Sequence, residues 1–254
     1  MKRLIFLSLL LVLPFFTAHA QTTKKRLAKK SFAAPKSVTN NNTAIVFDER
    51  LAVLRVEPSL FARPIQRLRM GRIVQISGSK KADGVTFYLV KALPNNVGWV
   101  QSEAVVGKSK SGDDARLARL VQASDGFAQI ECAMLFLETF KDSALRPPIL
   151  LLLGDLTEEA ALKISADAAR RLSRREMAAS GAPLHSFYLN YVSLDRYRRL
   201  GIRFLFNPSM RLLHYDGAAW KEIINRFPKS DEAAEAQKRL DTLKEKMEVV
   251  DSEK

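Results

Sequence analysis

Cysteine is nearly absent. Cys132 is the single one among 254 residues, which excludes an intrachain disulfide. Histidine is almost as scarce: His19, His185 and His214 show no H-x-x-x-H or H-E-x-x-H spacing, so the common zinc-binding patterns are missing. There is no G-x-S-x-G and no glycine-rich phosphate loop, which removes a common serine nucleophile and the usual phosphate cradles. After the first twenty residues no apolar run approaches the roughly 20 residues a membrane span needs; residues 149–153 form a core-sized run. These gaps point to a chain with no metal, no cofactor and no catalytic residue.

What is present is apolar content of 47% and a formal net charge of +14, with a pI of about 10.0. The first value is that of a folded chain. The second favours anionic partners. Residues 1–20 read as a cleaved secretory signal: Lys2 and Arg3, then an apolar run over 4–16, then Ala18-His19-Ala20. No cysteine follows that run, which speaks against a lipid anchor. Cleavage removes two positive charges and no negative ones and leaves +12. Export makes nucleic acid a poor partner and envelope material a good one. The expected location is the periplasm or cell envelope, with no transmembrane span in the mature chain. Residues 21–43, rich in Lys, Ser, Thr and Asn, read as a basic flexible linker, with weak contact to an anionic surface as its accessory role.

Between residues 44 and 107 short β-rich runs alternate with Gly71, Pro58 and the Asp83-Gly84 turn, the texture of a small barrel. In a core that small, aromatics such as Trp99 are expected to count heavily. Leu54-Arg55 before Pro58, then Gly71-Arg72-Ile73-Val74, then Phe87-Tyr88-Leu89-Val90, then Gly98-Trp99-Val100 before Val105-Val106 resembles bacterial SH3-like (SH3b) domains in order and spacing. That resemblance implies a barrel that recognises a wall peptide, glycan or protein segment. The residues expected to take the ligand are Tyr88, Trp99, Phe61, Arg67 and Arg69, with Trp99 mainly structural and one edge lining a groove beside Tyr88.

Residues 108–251 read as helical. Asp113 or Asp114 is placed to cap the first helix. Cys132 falls mid-helix as a buried thiol. A long helix is expected from Thr157, with Asp155, Glu158 and Glu159 at its start and the run Arg170, Arg171, Arg174, Arg175 further along it. His185 and His214 read as partly exposed helix residues. The stretch 208–247 resembles a tetratricopeptide-type (TPR-like) helical hairpin: Tyr215, Ala218, Ile224 and Phe227 on helix one, Pro228-Lys229-Ser230 as the turn with Ser230 as cap, and Ala233, Ala236 and Leu240 on helix two. Phe140-Lys141-Asp142-Ser143 is a weaker echo of Phe227-Pro228-Lys229-Ser230.

The expected fold class is thus α+β multidomain: a small SH3-like β-barrel followed by an all-α TPR-like helical domain. The expected function is a non-catalytic envelope binding or scaffold protein, whose partners are an envelope protein or a cell-wall peptide or glycan. The alternatives are a structural helical adaptor with the barrel as spacer, and an envelope hydrolase using Cys132.

Overall fold

The structure is a computed structural model and describes residues 42–92, 96–107 and 110–248. The expected signal segment, and the expected linker up to residue 41, lie outside the described residues. Seven strands open the described residues: β1 (Thr43–Val46), β2 (Val53–Arg55), β3 (Pro64–Arg67), β4 (Ile73–Ala82), β5 (Val85–Ala92), β6 (Asn96–Gln101) and β7 (Val105–Val106). They form one curled antiparallel sheet in the order β3-β2-β6-β5-β4-β1-β7. The first strand begins at Thr43, one residue ahead of the expected boundary.

Alternation along the strands puts one face inside. Val46, Leu54, Val74, Val90 and Val100 are essentially inaccessible there. This cluster is aliphatic, with Tyr88 packed against it; the fully buried aromatic of the sheet is Phe87 on β5, not Trp99. Trp99 stands opposite Leu89 and Arg55 on the outer face and is half-buried. Gly98, not the tryptophan, is the inward position. A Cβ there would lie 2.6 Å from the Arg55 carbonyl oxygen and 2.9 Å from Leu54 Cγ. Close approach of β2 to β6 demands the glycine. The Asp83-Gly84 pair turns β4 into β5 with φ of 51° and 74°, as a two-residue hairpin turn requires.

Eight helices and a second small sheet follow: α1 (Asp113–Ala123), α2 (Gly126–Thr139), α3 (Arg146–Arg171), α4 (Arg174–Ser180), α5 (Leu184–Leu189), α6 (Asp195–Arg199), β8 (Phe204–Asn207), β9 (Leu212–Tyr215), α7 (Ala218–Arg226) and α8 (Ala233–Glu248). The region is therefore not all-α. Pro208 sits in the turn between β8 and β9, and Tyr215 and His214 are strand residues. The first helix of the expected TPR-like pair is only α7.

The long helix starts eleven residues earlier than expected, because Pro147 and Pro148 stand in its first turn, where a missing N–H costs nothing. Glu158 and Glu159 are consequently mid-helix. The four arginines are split by a break at Leu172-Ser173, where the Ser173 hydroxyl accepts from Glu176 N–H and caps α4. Gly112, not an aspartate, is the cap position of α1; Asp113 instead accepts from Gly107 N–H at 2.9 Å.

The Phe140 and Phe227 turns share one ladder. Phe140 N–H donates to Phe136 O and Phe227 N–H to Ile223 O, both at 2.8 Å. Ser143 and Ser230 N–H donate back to those phenylalanine carbonyls, and Arg146 and Ala233 N–H to the serine carbonyls. The serines then differ. The Ser143 hydroxyl accepts from Leu145 N–H, whereas the Ser230 hydroxyl is buried without a partner and caps nothing.

The helical core is aromatic. Trp220, Phe136 and Tyr215 are buried in it with Leu150, Leu213 and Ile223. Phe47 and Val106 from the sheet belong to the same cluster, so sheet and helices share packing.

Candidate functional site

The side chain that burial explains least is Phe61, which is 90% exposed. It sits in the loop between β2 and β3, and that loop is tied down. Asp83, at the β4–β5 turn, accepts from the Ser59 hydroxyl at 2.7 Å and from Leu60 N–H at 2.8 Å. Phe61 N–H donates to the Ser59 hydroxyl, and the Arg55 guanidinium donates to Ala62 O at 2.7 Å. The hydrogen bonds from Ser59, and secondarily from Leu60, hold the Asp83 carboxyl below its ordinary pKa. Two turns far apart in sequence are thereby fastened at one end of the sheet, with Phe61 at the tip.

Around the tip cations outnumber acids, which are Asp83 and the exposed Glu57 of the Phe61 loop. Arg63, Lys80 and Lys81 are exposed, Arg55 is half-buried, and none of the four makes an ion pair among the described residues. Val56 is exposed as well, and its N–H donates to Arg63 O. Asp83 is already engaged by the loop. The arrangement is a rigid apolar tip with a cationic collar. Such a tip can bury its ring in an apolar phase while its cations meet anionic groups.

The five expected ligand residues do not form one cluster. Phe61 is at the tip. Tyr88, opposite Val100, is half-buried against the inner aliphatic core, so it faces away from Trp99 across the sheet. Arg67 ends β3 at the other end from the tip, and its guanidinium donates to Glu49 O and Arg50 O at 2.6 and 2.7 Å. Arg69 lies beyond β3 and lines a cleft of about 700 Å3 with Asp48, Glu49, Arg50, Glu131 and Cys132. Burial, and secondarily the charge of Glu49, pushes the Glu131 carboxyl up. Burial likewise pushes the Cys132 thiol up, with the Ser124 hydroxyl 3.9 Å from its Sγ.

Lys80, Lys81 and the pinning role of Asp83 escaped the sequence reading. The Lys-Lys pair directly before an Asp-Gly turn was the available sign; its proximity to the Phe61 loop comes only from the long-range hydrogen bonds.

Two polar groups in the helical region serve the fold. Glu158 accepts from Tyr215 N–H at 2.8 Å, lies 2.8 Å from His214 Nδ1 and 3.2 Å from Lys246 Nζ. Burial alone would raise its pKa, but these three partners together lower it. His214 is thus a buried strand residue, not a partly exposed helical one; His185 on α5 is exposed. Arg146 donates to Glu222 from Nε and Nη2, at 2.9 and 2.7 Å, and to Leu137 O at 2.6 Å. It borders a cavity of about 300 Å3 whose lining includes Tyr215, Leu150 and Arg203.

No family model, no curated protein and no solved structure matches this chain.

Proposed function

We propose that the protein is an exported, non-catalytic binding protein of the cell envelope. Its sheet region, in this reading an SH3b-like barrel, meets an anionic envelope ligand, and its helical region, a TPR-like relative, docks a protein partner. The observation that carries the reading is the pinned Phe61 tip among unpaired cations. An exposed phenylalanine on a loop held by two side-chain hydrogen bonds gains nothing for folding and is available for contact. The buried Cys132 thiol, shifted toward its neutral form, supports the non-catalytic part. Residues 21–254 should co-sediment with cell-wall sacculi or with isolated envelope fractions. Absence of both associations at low salt would sink the proposal.

One observation favours the adaptor reading, in which the barrel is a spacer: Phe47 and Val106 are built into the helical core. Under that reading the double variant Phe61→Ser/Arg63→Glu captures its protein partner as well as the unaltered chain does.

A further inference from the structure

We infer that the Phe61 end of the sheet docks on an anionic phospholipid surface, the ring entering the interfacial layer and the collar cations meeting headgroup phosphates. The inference rests on the envelope-binding reading and names the ligand of its tip.

Three features select this partner. The first is the ring itself. Phe61 is 90% exposed and Val56 beside it 40%. A soluble polyanion offers charge but nowhere to put an aromatic ring, whereas a bilayer interface offers both. The second is the collar. Arg63, Lys80 and Lys81 are exposed near the tip without carboxylate partners among the described residues; of the two acids there, Asp83 is engaged by Ser59 and Leu60 and Glu57 is exposed, so cations still outnumber free acids three to one. Cations left free at an apolar tip complement an anionic leaflet. The third is rigidity. The loop is fastened from both sides, by Asp83 and by Arg55, so inserting the ring orders little that is not ordered already.

The sheet's edges argue against the other obvious mode, addition of a partner strand. β3 is four residues long, begins with a proline and carries a bulge where it pairs with Leu54 and Arg55. Both residues of β7 are buried. These are the devices by which edges are closed to further pairing.

The test is vesicle co-flotation of residues 21–254 with phosphatidylglycerol-containing and pure phosphatidylcholine vesicles, beside sacculus co-sedimentation. Residues 21–41 carry six cations of their own, so variants at the tip are decisive rather than binding alone. Expected is binding to the anionic vesicles only, lowered at least about ten-fold by Phe61→Ser and about five-fold for each of Lys80→Gln and Lys81→Gln. Phe61→Trp should add a fluorescence component quenched by bromine-labelled lipid chains, which Trp99 and Trp220 do not supply. Circular dichroism of each variant should match the parent, because the altered side chains are exposed. Equal flotation of Phe61→Ser and parent overturns the inference. Binding to sacculi without vesicles also overturns it while leaving the envelope reading intact. Binding to neither overturns both.

Discussion

The sheet and helical regions handle charge in different ways. Residues 42–107 hold nine Lys and Arg against five Asp and Glu, yet a single described ion pair, Arg50 with Asp48. Residues 110–248 hold 22 against 20, and the other twelve described ion pairs all lie there. Both regions bury aromatics, Phe87 on β5 as fully as Trp220 and Phe136 among the helices, but only the sheet region carries one as exposed as Phe61. Ion pairs tie much of the helical region together. The ring and cations at the Phe61 end of the sheet have no such partners, and that contrast makes the tip the place to look for a ligand.

The contrast can be broken by experiment. Trp220 is 2% exposed in the shared core, and Trp220→Ala should cost about 3–5 kcal/mol in chemical denaturation. Gly98→Ala should cost about 3 kcal/mol, since the added methyl meets the Arg55 backbone oxygen and Leu54 in a core with little room to relax. A loss under about 0.5 kcal/mol would mean that β2 and β6 can move apart.

Glu158→Gln should cost about 2 kcal/mol, because His214 and Lys246 lose a charged partner in a buried place. Its pH dependence has a definite sign. The folded carboxyl is lowered, so its contribution is complete above the unfolded value near 4.3 and is lost as pH falls through the folded value. Acid titration of stability should therefore be shallower below about pH 4.3 in Glu158→Gln than in the parent. Exposed pairs should matter least. Lys163→Met removes the partner of Glu159 on two largely exposed side chains, and should change stability by less than about 0.5 kcal/mol. Phe61→Ser should leave the denaturation midpoint unchanged while altering vesicle binding, which separates the tip's role from the fold's.

Much of the architecture was legible in the sequence, through local signals. Asp83-Gly84 marked the hairpin, and the apolar run Phe87-Tyr88-Leu89-Val90 after it marked a strand. Phe140 and Phe227 announced two turns of the same build. Errors arose where distant partners decide. Leu212–Tyr215 is a strand paired with β8 on one edge, while on the other the side chains of Ser165 and Glu158 on α3 accept from Leu213 and Tyr215 N–H. The Pro147-Pro148 pair read as a break because proline ends helices, but it also starts them. At the candidate site, Phe61 was visible as a bulky loop residue. The collar was not, since Lys80 lies nearly twenty positions away and comes near only through Asp83.

The Glu158 cluster bears on the order in which the chain assembles. Its partners stand 56 and 88 residues downstream, at His214 and Lys246. As the chain emerges during synthesis, the α3 carboxylate waits for β9 to supply His214 and Tyr215 and for α8 to supply Lys246. The sheet closes its contacts within some sixty residues and is free to form first. Truncation before Lys246 should then strand the helical half as a loosely packed intermediate beside a finished sheet.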